Sequence, residues 1–136
     1  MIHITRDNHE RTRLSVQVRE HTLVADMAPS DGGEDAGPDP HDLYDSALGA
    51  CKALTILWYA KRKGMAIGDV DVEIERDRSK EREGRYLLTA TLRISGEITD
   101  SQRAELLSVA EKCPVHKLMT QLTTEVLTQL QYLFKV

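Results

Sequence analysis

Apolar and polar residues alternate in three parts of the chain, and this alternation predicts β-strands. The first part, residues 12–26, holds one strand that turns and returns over residues 22–26. The other two parts are residues 70–76 and 86–96. Between them lies the charged segment DRSKEREGR, which we expect to be an exposed hairpin loop.

A long helix is predicted after the loop of residues 29–40, which is rich in Gly, Pro and Asp. Asp39 suits the N-cap and Pro40 the first helical position, while Gly64 suits the end, so the helix should span residues 40–63. The apolar residues at spacings of three and four, which we expect to form one buried face, are Leu43, Ala47, Cys51, Leu54 and Trp58.

A pair of shorter helices and a closing strand are predicted in the C-terminal part. The first helix is capped by Thr99 or Asp100 and must stop before Pro114, which breaks a helix interior. The second runs from 114 to about 122, and residues 124–133 are predicted to be a closing strand. The residues expected on the inner face of the first helix are Leu106, Leu107, Ala110 and Cys113.

The order of these elements predicts one α+β domain over residues 1–136, with an antiparallel sheet. The net charge of −4 argues against nonspecific nucleic-acid binding, which needs a basic face. No apolar run reaches the roughly 18 residues of a membrane span, and the polar N-terminus lacks the apolar region of a signal peptide. We therefore expect a cytoplasmic protein, in which two cysteines do not form a permanent disulfide.

The two cysteines leave several readings open. Cys51 lies mid-helix on the predicted apolar face, where inert packing is the ordinary explanation. Cys113 precedes Pro114 and so lies near the start of a helical turn, which favours a thiolate. His116 either adds positive charge there or only hydrogen-bonds locally. With Cys51 these residues supply three metal ligands, short of the four of a structural zinc site, so we expect no metal and no cofactor.

Two motifs in this order carry a resemblance to a known family. GPDPHDLYDSALGACKALT (37–55) together with KCPVHK (112–117) resembles the OsmC/Ohr family of osmotically induced and organic-hydroperoxide-resistance proteins. The resemblance implies an α+β fold with bent antiparallel strands around a central cysteine-bearing helix and a second helix pair, in an intertwined homodimer. It also implies that Cys51 and Cys113 face each other.

The resemblance further implies a cysteine-based thiol peroxidase. Cys51 would attack a hydroperoxide, organic or hydrogen peroxide, and become a sulfenic acid. Cys113 would then resolve it as a disulfide, which an external dithiol reduces. Analogy with the organic-hydroperoxide branch makes that reductant a lipoyl-type dithiol.

The activating and substrate-binding residues are also implied by the resemblance. Peroxidase members pair the first cysteine with an arginine held by a glutamate ten positions before it. Here that position is His41, and the nearest acid is Asp42. The arginine candidate is Arg19, with Arg11 and Arg13 behind it. The residues assigned to substrate binding are His41, Thr55 and His116.

Two other functions compete with the peroxidase. One is a non-catalytic OsmC-fold protein that binds a small molecule or senses oxidation, which the missing glutamate favours. The other is a structural protein with two core cysteines and no redox role. The retained cysteine pair favours the peroxidase.

Overall fold

The computed structural model describes residues 1–134, and within them it confirms the predicted α+β class. The long helix, the helix pair and the two predicted hairpins are all present. In chain order the elements are β1 (Ile2–Arg6), β2 (Leu14–Val18), β3 (His21–Ala25), α1 (Pro40–Lys63), β4 (Ala66–Asp77), β5 (Leu87–Glu97), α2 (Asp100–Glu111) and α3 (Pro114–Thr120).

The strands form two separate antiparallel sheets rather than one. The N-terminal sheet has the order β1-β2-β3, with Val16 of β2 opposite Ile4 of β1 and Leu23 of β3. Strand β1 was not anticipated from the sequence, although Ile2 and Ile4 alternate with polar residues. Arg19, in the turn between β2 and β3, has a φ of 53°, a conformation uncommon for a residue with a Cβ.

The second sheet consists of β4, which is longer than predicted, and β5, which has the predicted length. They pair from Ala66 opposite Glu97 to Asp77 opposite Leu87, with a register shift between Ile67 and Val70. Apolar side chains alternate along both strands, and they turn one face of this hairpin toward α1. The remaining polar face is exposed to solvent.

Helix α1 has the predicted bounds because both ends carry strong signals. Asp39 and Asp42 form a reciprocal capping box at the start, and Gly64 ends the helix at a φ of 67°. Mid-helix, Gly49 permits a close approach to β4, since a Cβ at Gly49 would lie 3.1 Å from Cγ1 of Ile74. The helix therefore lies tightly against the second sheet.

The buried face of α1 differs from the prediction. The core forms around Ile56, Ala60, Leu106 and Ala110, which join α1 to α2. The predicted face is largely open, since Leu54 and Trp58 remain 65% and 60% exposed. Both faces of α1 carry apolar residues, so helical periodicity alone does not tell which one this chain covers.

Helices α2 and α3 meet at Cys113, as predicted from Pro114. Thr99 caps α2 through a capping box with Gln102, and Cys113 is the N-cap residue of α3. Three of the four residues predicted on the inner face of α2 are buried, but Leu107 is 53% exposed. The prediction for Leu107 was wrong, since the core includes Leu106 and Ala110 but not Leu107.

The predicted closing strand at residues 124–133 is wrong for this chain. These residues are exposed and have no regular secondary structure. A strand needs a hydrogen-bonded neighbour, and no strand of the described part pairs with this segment. Among residues 1–134, no helix is long and apolar enough to cross a membrane.

Candidate active site

The two thiols, far apart in sequence, lie near each other in the structure. Cys51 lies in the middle of α1, and Cys113 lies at the corner between α2 and α3. Cys51 is close enough to Cys113 to influence its acidity, and neither thiol is in a disulfide. The backbone N–H of Val115, in the first turn of α3, donates to the Cys51 sulfur at 3.5 Å. The start of α3 thus packs against both sulfurs.

The two thiols differ in their access to solvent. Cys113 is fully buried, whereas Cys51 is half-buried and borders an open cavity of about 730 Å³. Thr55, one turn after Cys51 on α1, also borders this cavity. Apart from Cys51, Thr55 and Lys112, the lining residues are apolar: Ala47, Ala50, Leu54, Trp58, Val109 and Pro114. A molecule entering from solvent therefore meets Cys51 first.

The surroundings of Cys113 act on its acidity in opposite directions. Burial raises the pKa of the Cys113 thiol, and the adjacent Cys51 adds to the rise. The backbone N–H of His116 and the charge of Lys52 both lower that pKa. The net effect is a raised pKa, so burial outweighs the helix start that predicted a favoured thiolate.

Lys52 is a functional candidate that the sequence analysis missed. Its side chain is buried, and Nζ donates to the backbone carbonyl of Ala110 at 2.9 Å and lies 3.0 Å from Nδ1 of His116. The sequence offered one signal for Lys52, its position next to Cys51. Its role was not recognised because the structure buries a different face of α1 from the one predicted. His116 accordingly lies beside Lys52 and not in the cavity that Cys51 borders.

The arginine candidates lie away from the thiols within one chain. Arg19 is exposed in the β2–β3 turn. Arg13 pairs with Asp7 at 2.7 Å, and Arg11 lies 3.7 Å from Glu34. In the described residues, none of the three arginines hydrogen-bonds to either cysteine.

Asp42 has an arginine partner, but a different one from those predicted. Arg76 on β4 donates Nη2 to Asp42 at 2.5 Å and Nε to the buried Asp45. Tyr86 donates its hydroxyl to the other oxygen of Asp45 at 2.8 Å. The hydrogen bond from Arg76 lowers the pKa of Asp42. The sequence did contain a signal for this ion pair, since Arg76 occupies an inward, normally apolar position of the alternating segment 70–76.

This ionic cluster lies at the start of α1, more than one helical turn before Cys51. Within residues 1–134 it makes no hydrogen bond to either thiol. Burial and the hydrogen bond to Asp45 raise the pKa of Tyr86 to about 12. His41 lies next to the cluster, with Nε2 at 2.9 Å from Glu81, and borders a separate cavity of about 330 Å³. Neither Asp42 nor His41 lies beside Cys51 in this chain.

Residues 1–134 contain no group of three or more His, Cys, Asp or Glu side chains placed to hold a metal ion. His116 lies with Nδ1 at 3.0 Å from Nζ of Lys52.

The fold and the thiol pair together define a class of α+β proteins with a long cysteine-bearing helix and a second cysteine at a helix corner. Residues 32–127 match the family model described as OsmC-like protein. The chain therefore belongs to the OsmC-like family. No protein of curated function matches this sequence.

Solved structures share the fold at low sequence identity. A candidate osmotic-stress-induced and detoxification response protein from Psychrobacter arcticus superposes with a TM-score of 0.73 at 17% identity, covering 88% of each chain. An OsmC-like protein from Mycoplasma pneumoniae gives 0.70 at 20% identity, over 89% of this chain and 88% of that one. The organic hydroperoxide resistance protein OhrB of Bacillus subtilis gives 0.55 at 20% identity, over 89% and 91%.

Proposed function

We propose that this protein is a cysteine-based thiol peroxidase that reduces hydroperoxides. The observation that supports this most directly is the pair of reduced thiols that the fold brings near each other, one open to a cavity and one fully buried. A pair arranged in this way oxidises one thiol from solvent and keeps the second within reach of it.

The reaction proceeds in three balanced steps. The Cys51 thiolate attacks one oxygen of the hydroperoxide, the O–O bond breaks, and the alkoxide leaves as an alcohol after taking a proton. Cys51 is now a sulfenic acid. The Cys113 sulfur attacks Cys51, the S–O bond breaks, and water leaves as the disulfide forms. An external dithiol then reduces this disulfide and becomes a disulfide itself.

The lining of the cavity supports an organic hydroperoxide as the substrate. Around Cys51 the side chains are mainly apolar, with Leu54 and Trp58 the largest of them. An alkyl or aryl group gains free energy by leaving water for such a surface, whereas hydrogen peroxide has no apolar part to bury. The name of the Bacillus subtilis relative, an organic hydroperoxide resistance protein, supports the same substrate class.

The active form is a homodimer. Large apolar side chains remain exposed on α1, on the N-terminal sheet and in residues 123–134, as expected for surfaces that a second copy covers. The alternating segment at 124–133 lacks a neighbour in its own chain, and a partner would supply one. The second copy also places one of its arginines, Arg11, Arg13 or Arg19, beside Cys51.

Turnover assays test the proposed activity. The parent protein with dihydrolipoamide should consume cumene hydroperoxide in steady state and show a smaller kcat/KM for hydrogen peroxide. Cys51→Ser should abolish turnover, and Cys113→Ser should stop it after one equivalent, because the sulfenic acid is not resolved. A Cys51→Ser variant that turns over like the parent would overturn the proposal.

A redox sensor is the second candidate, and one observation favours it. The pKa of Cys113 is raised, and within residues 1–134 no arginine hydrogen-bonds to Cys51. These features slow an enzyme's turnover but are adequate for a switch that is oxidised once. A sensor would form the same disulfide once without steady-state turnover by any dithiol. The assay above separates the two functions.

A further inference from the structure

A buried lysine without an acidic partner lies beside the second thiol. Lys52 is only 5% exposed, although an ammonium group is costly to bury unless an anion compensates it. Its two hydrogen-bond partners are the carbonyl of Ala110 and Nδ1 of His116, and neither is a carboxylate. In the described residues Lys52 forms no ion pair with a carboxylate.

The partners of Lys52 flank Cys113 on both sides. Ala110 lies three positions before Cys113 at the end of α2, and His116 lies three positions after it on α3. The ammonium group is therefore enclosed in the corner that holds the thiol.

The other charged groups next to this corner, Glu111 and Lys112, are exposed to solvent. From α1, Cys51 and Lys52 face Cys113, and α3 contributes His116. Glu111 of α2 is exposed and borders a small cavity of about 230 Å³ that Lys52 also borders. The residues that β5 adds to this cavity are apolar.

We propose that Lys52 is a positioning residue for the resolving thiol: its ammonium group, held by Ala110 and His116, is the counter-charge of the Cys113 thiolate in the disulfide-forming step. This inference rests on the proposed function for its catalytic meaning. The thiolate forms when Cys113 loses its proton, and it attacks the sulfenic sulfur of Cys51. The hydroxide that leaves takes up a proton and becomes water.

The direction of the Lys52 effect agrees with this role. The charge of Lys52 lowers the pKa of Cys113 against the larger rise caused by burial. Without that charge, burial and the neighbouring Cys51 would act on Cys113 with only the N–H of His116 opposing them. The charge of Lys52 thus offsets part of the rise in the pKa of Cys113 that burial causes.

The test measures the Cys113 thiolate directly, in a Cys51→Ser background that leaves one thiol. Its ultraviolet absorbance is titrated with pH in the parent background, in Lys52→Met and in Lys52→Gln. The glutamine variant keeps a hydrogen-bond donor for the carbonyl of Ala110 but removes the charge, and it decides the matter if Lys52→Met does not fold. Lys61→Met, at an exposed position of the same helix, is the matched control.

Both neutral variants should raise the pKa of Cys113 by about one unit or more, and Lys52→Arg should restore it. With Cys51 present, the same variants should slow disulfide formation near neutral pH about tenfold, in line with the lost thiolate. An unchanged pKa of Cys113 in a folded neutral variant would overturn the inference. This titration needs no peroxidase activity, so it tests the role of Lys52 separately from the proposed function. The pKa of Cys113 can stay unchanged in the variants while the parent still forms the disulfide. Equally, the pKa can rise in the variants of a protein that has no peroxidase activity.

Discussion

The exposed face of α1 makes a quantitative prediction about the dimer. Leu54 remains 65% exposed in the single chain, at the centre of the open face. Leu54→Ala removes three carbon atoms, and burial of each contributes about 0.8 kcal/mol. Scaled by the exposed fraction, the loss is about 1.6 kcal/mol per protomer and about 3 kcal/mol for a symmetric pair. The dissociation constant of the dimer should therefore rise about 100-fold.

Sedimentation velocity over a dilution series measures this constant. The control is Leu107→Ala, which removes the same atoms from a leucine that is 53% exposed but lies on α2, beside the cavity of Lys52 and not that of Cys51. We expect the dissociation constant of this control to stay within about threefold of that of the parent, because Leu107 lies outside the proposed interface. Equal dissociation constants for the parent and Leu54→Ala, or a monomeric parent, would refute the reasoning.

Two further predictions concern stability, measured by urea unfolding. Ile56 is fully buried between α1 and α2. Ile56→Ala should therefore lower the free energy of unfolding by about 2–5 kcal/mol, and Ile56→Val by about 0.5–1.5 kcal/mol. Urea midpoints equal to that of the parent would contradict the placement of Ile56 in the core. Hydrogen bonds from Thr12 and nearby backbone N–H groups lower the pKa of Asp26 to about 2. Its stabilisation is present above the ordinary carboxyl pKa and is lost as the pH falls through about 2. Asp26→Asn should lack this acid-dependent loss, and an acid profile identical to the parent would contradict it.

The sequence was most informative where the determinants are local. Helix α1 has its predicted bounds because Asp39, Pro40 and Gly64 act on the backbone beside them. Pro114 likewise separates α2 from α3. Caps and breakers of this kind depend on a few neighbouring residues, so a single sequence suffices to read them.

The sequence was least informative where a residue's role depends on what packs against it. Periodicity placed Leu54 on the buried face, but the chain covers the face of Ile56, which also carries the charged Lys52. Residues 124–133 alternate like a strand, yet alternation does not provide a neighbouring strand. Arg76 was overlooked because its partners on α1 are 31 and 34 positions away.

In the candidate site too, the local features could be predicted from the sequence and the contacts between distant residues could not. Each cysteine could be placed on its helix or corner, but their contact was expected only from the family resemblance. Lys52 became visible as a candidate only through the fold, since its bonds to Ala110 and His116 span 58 and 64 positions. The roles of Cys51 and Cys113 in catalysis stay predictions.

The most direct test of the account maps the disulfide. Reduced protein is treated with one equivalent of cumene hydroperoxide, trapped with an alkylating reagent in acid and analysed by peptide mass spectrometry. We predict an intramolecular Cys51–Cys113 disulfide in the parent and, in Cys113→Ser, a sulfenic acid at Cys51. Survival of both free thiols in a large excess of hydroperoxide would contradict the account.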